Sequence, residues 1–181
     1  NDGGFLLLSK EEKESFLQQH PSAKKYIRPM MGSEEFINNR ERYCLWLKDV
    51  DPSEIKQYPA IMERVKKVRQ IRLQSSRAQT KNLAQFPTLF AEIRQPEDDY
   101  LLIPRVSSEN RRCIPMGFFD YHTIAGDSAL IVPHATKYLF GVLSSMIHMT
   151  WVNYVCGRLK SDYRYSNTIV YNNFPFPANV S

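Results

Sequence analysis

The chain has 181 residues, 43% apolar residues and a formal net charge of +5. This length suits one ordinary domain, or one domain with an attached helical piece, and the apolar content excludes disorder over most of it. Cys44, Cys113 and Cys156 form no Cys-x-x-Cys pair. We therefore expect reduced core thiols of an intracellular protein rather than disulfides or a zinc framework.

The sequence indicates neither a signal peptide nor a membrane span. No signal-peptide pattern is present, and the longest apolar stretch, residues 138–155, is interrupted by polar side chains. We interpret that stretch as a buried helix rather than a membrane span. The chain starts at Asn1 instead of Met, which leads us to expect a piece of a longer polypeptide.

The first elements are marked by helix caps and by turn residues. Ser9 and Glu12 form a capping box, which predicts a short helix that ends before Pro21. Residues 26–39 contain Pro, Gly and paired Asn and are expected to form a loop. Residues 42–47 are aromatic and apolar enough to predict a core strand.

Two further helices are predicted downstream. Asp51 is a candidate N-cap with Pro52 at the first helical position, and a second helix follows Pro59. The apolar stripe of that second helix consists of Ile61, Val65 and Val68. Lys66 and Lys67 point away from the stripe, whereas other basic residues flank it or fall within it. This distribution favours a helix that contacts a partner along its sides.

The most informative feature is a concentration of positive charge. Residues 64–91 carry seven Lys or Arg and no acid, and a second basic cluster follows at residues 105–112. Lys and Arg neutralise phosphates and release counterions, so the pattern predicts a surface for polyanions. Gln, Ser, Thr and Asn lie between the basic residues and could reach base edges. The alternative is a solvated helix face, but such faces usually mix the two signs of charge.

The second half of the chain changes to a β pattern. Three segments look like consecutive strands: residues 100–104, 112–119 and 127–133. The polar, basic stretch 105–111 is expected to project as a hairpin loop, with a long helix over about residues 136–159 packed behind the strands. We therefore predict a mixed α/β (α+β) fold, with a small antiparallel sheet flanked by basic helices and a long apolar helix.

Most kinds of catalytic site lack a candidate in this sequence. There is no Gly-rich phosphate loop. Asn173-Phe174-Pro175-Phe176 is only superficially similar to the base-gripping loop of amino-methyltransferases, because Phe174 replaces the first Pro. Asp51, Glu54 and Lys56 have the spacing of a nuclease trio, but helix capping explains the two acids.

No metal site or nucleophile is indicated either. The four histidines (His20, His122, His134 and His148) are far apart in the sequence, with no metal-ligand spacing. His148 is expected to be a core residue, and nothing points to a Cys–His nucleophile. We predict neither catalytic nor metal-binding residues here.

Aromatic residues near the C-terminus leave two interpretations open. Tyr163, Tyr165 and Tyr171, together with Arg164, could stack on bases or contact phosphates. They could equally pack a C-terminal β segment.

Several long blocks of the sequence resemble those of the MmeI-like restriction–modification enzymes. The blocks occupy residues 28–47, 92–96, 102–109, 155–166 and 171–177. Enzymes of this family fuse a nuclease, an adenine-N6 methyltransferase and a target recognition domain in one chain. The blocks run in the family's order and resemble the segment downstream of the catalytic core, which is the target recognition domain.

The resemblance implies a DNA-reading role and a division of the chain. Residues 28–181 would form the target recognition domain and residues 1–27 a lead-in helix or linker. The domain would read a short asymmetric site in double-stranded DNA for the methyltransferase domain of the same polypeptide. It would hold no cofactor, because S-adenosylmethionine would bind the catalytic domain outside this chain. The protein would act in the prokaryotic cytoplasm, without a membrane partner.

The resemblance also implies which residues read bases. The base-reading candidates are Ser75, Ser76, Arg77, Ser108, Glu109, Asn110, Arg111 and Arg112. Their chemistry is suitable, since Arg can bind guanine O6 and N7, and Glu can accept from cytosine N4. Asn110 stands where relatives commonly carry Arg, and Gln79 where they carry Ala, so the resemblance implies the identity of the domain but not the DNA sequence that it recognises.

The remaining basic residues are assigned to the DNA backbone. The phosphate-binding candidates are Lys66, Lys67, Arg69, Arg72, Lys81 and Arg105. An alternative function is a protein-interaction module whose basic helix binds an acidic partner. A free-standing enzyme would need a perturbed titratable cluster in a pocket. An RNA-binding role is not favoured, because the sequence lacks the aromatic strand motif of the commonest RNA-reading fold.

Overall fold

The structure, a computed structural model, describes residues 2–177. Contacts divide the chain into two units, formed by the described residues of Asn1–Met30 with Glu41–Gln95 and of Met31–Arg40 with Pro96–Ser181. The α-helices are α1 (Lys10–Gln19), α2 (Ser33–Asn38), α3 (Pro52–Ile55), α4 (Pro59–Gln74), α5 (Ala78–Asn82), α6 (Lys137–Leu143) and α7 (Met146–Val155). The strands are β1 (Leu7–Leu8), β2 (Ile27–Met31), β3 (Tyr43–Leu45), β4 (Tyr100–Pro104), β5 (Val106–Ser107), β6 (Gly117–Phe119), β7 (Ile124–Ala125), β8 (Ala129–Pro133), β9 (Gly157–Leu159) and β10 (Asp162–Arg164).

The first unit packs helices against a small antiparallel sheet. Strand β3 lies between β1 and β2, with Cys44 opposite both Leu7 and Arg28. The apolar stripe of α4 is buried in the core of this unit, as predicted. Burial of such a stripe is the main source of stability for an amphipathic helix.

Both helix caps predicted in this unit are confirmed, and α4 starts at Pro59. The Ser9 hydroxyl accepts from the backbone N–H of Glu12, whose carboxylate accepts from the N–H of Ser9. The Asp51 carboxylate accepts from the Ser53 N–H at 2.7 Å, with Pro52 at the first helical position. Helix α1 ends at Gln19, before Pro21 as predicted.

The prediction of a loop over residues 26–39 is wrong, because this segment contains β2 and α2. Its turn-forming residues mark the two ends of α2. Gly32 is the N-cap and donates its N–H to Glu35 at 3.0 Å, and Asn39 closes the helix at a left-handed φ of 50°. A Cβ at Gly32 would come within 2.6 Å of the Ser128 hydroxyl, so a side chain there would displace this hydroxyl from its hydrogen bond with the Ser33 N–H.

The second unit contains two three-stranded antiparallel sheets, with the orders β6–β4–β8 and β5–β10–β9. Strand β4 is fully buried and has the bounds predicted from the sequence. Strand β8 confirms the third predicted strand over a shorter range. Of the second predicted strand, residues 112–119, only the last three residues form a strand, β6. The pairing of β6 with β4 starts at Gly117, which lies opposite Leu102.

The single long helix predicted over residues 136–159 is wrong. The structure has two helices, α6 and α7, because Ser145 caps the second by accepting from the His148 N–H at 3.2 Å. Strand β9 then follows α7. The mixed α/β class is confirmed, although residues 2–177 form several small antiparallel sheets in place of one.

Burial favours the uncharged forms of Cys44, Cys156 and His148. Burial raises the pKa of the Cys44 thiol to about 12 and also raises that of Cys156. Cys44 and Cys156 are buried free thiols, as predicted, whereas Cys113 is a free thiol that is only half-buried. His148 is a core residue, also as predicted: its Nε2 lies 2.9 Å from the Tyr165 hydroxyl, and burial lowers its pKa to about 4.

No helix within residues 2–177 is long and apolar enough to cross a membrane. The interpretation of residues 138–155 as one buried helix is only partly correct. This stretch forms most of α6 and all of α7, and α7 is buried on one side but exposes Met146, Ile147 and Tyr154.

Candidate nucleic-acid interface

The first candidate surface lies along α4 and α5 in the first unit. Lys66, Lys67 and Arg69 of α4 are exposed, as is Lys81 of α5. The three side chains of α4 lie outside the buried apolar stripe of that helix. Lys67 is partly neutralised, since its ammonium lies 2.6 Å from the carboxylate of Glu63, whose pKa it lowers. The surface is therefore cationic but carries one internal ion pair.

Arg72 contradicts its assignment to phosphate. It is fully buried, and its guanidinium donates to the carbonyl oxygens of three residues that follow α5. The acceptors are Leu83 at 3.0 Å, Phe86 at 2.8 Å and Leu89 at 2.7 Å. Burial lowers the pKa of this group, which nonetheless stays charged, as arginine does in proteins. Arg72 holds the chain after α5 against α4 and is not available to a ligand.

The predicted readers of this unit lie in the turn that joins α4 to α5. Ser75 is half-buried and ends α4, and its hydroxyl accepts from the backbone N–H of Arg77 at 3.2 Å. Ser76 and the Arg77 side chain are exposed. The turn thus presents a guanidinium and a hydroxyl to solvent from a backbone that is fixed at both ends by helices.

A second candidate surface is the turn that follows β5 in the other unit. The Ser108 carbonyl accepts from the N–H of Arg111, and the Ser108 hydroxyl accepts from the N–H of Asn110, both at 3.3 Å. Glu109, Asn110, Arg111 and Arg112 are exposed, whereas Ser108 is half-buried. The structure therefore brings these five predicted readers together in one turn, which we call the reader turn (residues 108–112).

The reader turn is not the simple hairpin loop that the sequence suggested for residues 105–111. Val106 and Ser107 leave the first sheet and pair with Arg164 and Tyr163 of β10 as strand β5. The turn therefore starts from the edge of a second sheet. Sequence pattern missed this switch because a two-residue strand carries almost no periodic signal.

Reasoning from the sequence missed two basic residues, Arg158, which contacts the reader turn, and Lys160 on the same hairpin. Both are exposed on the β9–β10 hairpin, which also carries the exposed Arg164. The guanidinium of Arg158 lies 4.0 Å from the centre of the Tyr163 ring and 3.8 Å from the Glu109 carboxylate. The close spacing of these three basic residues in the chain was the signal that could have found them.

Arg105 has a structural contact in addition to its proposed role. It is half-buried, and its Nε donates to the Asp127 carbonyl at 3.1 Å. Its backbone N–H also donates to the Ser33 hydroxyl at 3.1 Å. These bonds attach the start of β5 to the segment before β8, which leaves its contact with phosphate a prediction.

The C-terminal aromatic residues pack inside the second unit. Tyr163 and Tyr165 are buried, and the Tyr163 hydroxyl donates to the Asn153 side chain. Tyr171 is half-buried against the same core. Of the two open interpretations, the structure favours packing, while Arg164 remains exposed.

The residues considered for catalysis have structural contacts of their own. Phe174 is buried with its ring 4.6 Å from that of His148. Glu54 pairs with Lys25, which lowers the pKa of its carboxyl. Within residues 2–177, no group of three His, Cys, Asp or Glu side chains is placed to hold a metal ion. A cleft of about 300 Å³ beside Arg111 has a mainly apolar lining, which includes Phe36 and Ile114.

Mixed α/β scaffolds that present exposed turns of Arg, Ser, Asn and Glu have the features of a recognition domain. A family model described as "MmeI, target recognition domain" matches residues 1–178. The chain belongs to the MmeI target recognition domain family.

Two relatives show how much of a longer protein this chain represents. It is 41% identical over 177 residues to DNA methyltransferase A of Bacillus subtilis (strain 168), a match that covers 98% of this chain and 20% of the relative. It also matches the Type IIL restriction-modification enzyme MmeI, solved in complex with DNA, with a TM-score of 0.96 and 46% identity. That match covers 99% of this chain and 24% of MmeI. The chain therefore spans about a fifth to a quarter of these relatives.

Proposed function

We propose that this chain reads the DNA target sequence for an adenine-specific DNA methyltransferase of the restriction–modification type. The observation that carries the proposal is its close match to the corresponding segment of MmeI, a structure that contains DNA. The exposed turns around Arg77 and Arg111 support it independently, since both present hydrogen-bonding groups beside cationic surfaces.

The proposed division of labour assigns different contacts to different residues. Arg77 and the reader turn (residues 108–112) would contact base edges, with Ser75 and Ser76 beside Arg77. Arg72 is withdrawn from the phosphate set because its guanidinium is buried. Phosphate contacts would fix the position of the domain, and base contacts would select the sequence. The residues that would contact phosphates are Lys66, Lys67, Arg69, Lys81 and Arg105.

In this proposal the chain has no catalytic role of its own. The methyl donor S-adenosylmethionine would be bound by the catalytic part of a longer polypeptide, and this domain would present the target adenine to it. The reaction would take place in the bacterial cytoplasm, where the DNA lies. The relatives support this division, because each extends far beyond the matched segment.

The test is selection from a pool of randomised duplexes at low salt, followed by sequencing of the bound fraction. We expect enrichment of an asymmetric motif that contains an adenine, and loss of that enrichment in the Arg111→Ala variant. Salt-sensitive binding without enrichment would reduce the role to phosphate binding. If no duplex binds even at low salt, the proposal fails, and the basic helix becomes a surface for an acidic protein.

A further inference from the structure

Helix α7 exposes an unusually apolar surface. Ile147 is 73% exposed, Met146 72% and Tyr154 88%. At 100° per residue these side chains, together with Thr150, lie within about 100° on one side of the helix. The opposite side, which includes Met149 and Val152, is buried in the core of the unit. We call the exposed side the α7 face (Met146, Ile147, Thr150 and Tyr154).

The α7 face lacks the charges that keep a helix surface in water. Residues 138–157 contain no Asp, Glu, Lys or Arg. By contrast, α4 carries Glu63, Lys66 and Arg69 on its exposed side. A helix that is apolar on all sides is normally buried on all sides. Contiguous exposed apolar patches, unlike single exposed apolar residues, are typical of sites that contact another protein, a ligand or a membrane.

The hydroxyl of Thr150, at the centre of the α7 face, is hydrogen-bonded within its own helix. The Thr150 hydroxyl donates to the Met146 carbonyl within the same helix, at 2.8 Å. The residue can therefore present its methyl group outward. An apolar partner can therefore cover Thr150 without leaving its hydroxyl unpaired, whereas the hydroxyl of the exposed Tyr154 would have to lie at the rim of the contact or meet a polar group of the partner.

We propose that the α7 face is the docking surface for another part of the same longer polypeptide, through an uncharged, apolar counterface. This inference rests on the proposed function. The relatives indicate the occupant: each contains nearly all of this chain as one segment, and about four fifths or three quarters of their length lies outside it. The face carries no cation, so a nucleic-acid backbone is not a suitable occupant.

The docking surface is connected to the reader turn through side chains. Asn153, at the edge of the α7 face, accepts the hydroxyl hydrogen of Tyr163. The Tyr163 ring lies under the guanidinium of Arg158, which pairs with Glu109. A body that docks on α7 would therefore be positioned relative to the reader turn through one short series of contacts.

Oxidation of Met146 tests the docking surface directly. Met146 is the exposed methionine among the six of the chain, and Met149, one turn away, is buried. The experiment exposes the 181-residue chain and the longer natural polypeptide to dilute hydrogen peroxide, and mass spectrometry measures sulfoxide formation at both positions. We expect Met146 to oxidise rapidly in the short chain and at least about tenfold more slowly in the longer polypeptide, with Met149 slow in both.

A charged variant makes the test specific. Ile147→Glu should restore rapid oxidation of Met146 in the longer polypeptide while leaving the melting temperature of the 181-residue chain unchanged. Tyr121→Glu, at an exposed aromatic residue elsewhere in the unit, is the matched control and should leave Met146 protected. Equal rates of Met146 oxidation in the two polypeptides would overturn the proposal.

Self-association is the remaining outcome and would also overturn it. Met146 could be slow to oxidise in the short chain because the chain forms dimers. If analytical ultracentrifugation shows such dimers and Ile147→Glu dissociates them, the α7 face is assigned to a second copy of the chain. None of these measurements involves DNA. Failure of the docking proposal is therefore distinguishable from failure of the proposed function, which duplex selection tests.

Discussion

The guanidinium of Arg158 lies 3.8 Å from the carboxylate of Glu109, the one acid of the reader turn. The same guanidinium is held over the Tyr163 ring and donates to the Ser161 carbonyl at 2.9 Å. Contacts within its own hairpin thus hold Arg158 in place independently of its ion pair with Glu109. A carboxylate oriented by a fixed cation has fewer conformations available, which favours one hydrogen-bonding partner over others.

We expect Arg158 to act on base selection through Glu109. Arg158→Met should weaken discrimination at the base pair that Glu109 contacts, but it should have little further effect once Glu109→Gln is present. The coupling should be about 0.2–1 kcal/mol, as for exposed ion pairs. A double-mutant cycle on the selected duplex and its single mismatches measures it. Arg164→Met is the control, and an equal loss on all duplexes for both variants would contradict the positioning role.

Arg111 and Arg112 are expected to determine specificity. Replacement of either by Ala should relax discrimination at one base pair by roughly 1–3 kcal/mol, because a bidentate contact with guanine is lost. Fluorescence anisotropy with the selected duplex and with each single-base variant measures the effect. An equal loss of affinity for selected and random duplex would show that these residues are not readers.

Lys66, Arg69 and Lys81 are expected to bind phosphates and not bases. Replacement of one by Met should weaken binding to all sequences similarly and reduce the slope of log K against log salt by about 0.9, because one fewer counterion is released. Titrations between low and moderate salt on two unrelated duplexes measure it. Lys67→Met should change the slope less, since Glu63 already neutralises part of its charge.

Arg72→Met is expected to unfold the first unit more readily. The substitution removes the donor of three partly buried carbonyl oxygens, and a buried group left unpaired costs about 1–3 kcal/mol. Because water can reach part of these groups, we expect a total loss of about 2–3 kcal/mol in the free energy of unfolding, measured by urea denaturation. Arg69→Met on the same helix is the matched control and should be nearly neutral for stability. Similar stability of the two variants would contradict the structural role of Arg72.

Acid should destabilise the second unit through His148. The folded pKa of His148 is about 4, below the ordinary value of 6.5, so the unfolded chain binds a proton that the folded chain does not. Stability is therefore complete above about pH 7 and falls as the pH is lowered towards 4, by about 2 kcal/mol between pH 7 and 5. Urea denaturation at several pH values measures this dependence. The pH dependence of stability should become flatter in His148→Gln but not in His122→Gln, because His122 is exposed. An unchanged dependence in His148→Gln would exclude His148 as its source.

Elements that carry a local signal were predictable from the sequence. Ser9 with Glu12 and Asp51 with Pro52 specify helix starts through bonds within a few residues, and β4 is a continuous apolar run. The break between α6 and α7 was missed because a serine caps a helix only when its backbone is extended, as that of Ser145 is, and the sequence does not show this conformation. Gly32 and Asn39 were recognised as turn residues, but whether they flank a loop or a helix depends on the packing of Phe36.

The candidate interface was predictable in outline, although not in the state of each side chain. The sequence places Arg69 and Arg72 three positions apart on one basic helix, yet one is exposed and the other buried. The difference depends on carbonyls at residues 83–89, which no local pattern links to α4. The pairing of Arg158 with Glu109 likewise depends on the β5–β10 register, which brings distant segments together.

The burial of Arg72 has a consequence for genetic screens. If the chain serves a methyltransferase as proposed, an alanine scan scored only by loss of methylation in cells would rank Arg72 among the strongest positions, because a destabilised protein is removed by proteases. Its neighbours Arg69 and Lys66 would score weakly, since each contributes one of several replaceable contacts. Such a ranking would place a buried residue above the exposed residues that are proposed to contact DNA. A screen that also measures protein abundance would separate loss of stability from loss of DNA contacts.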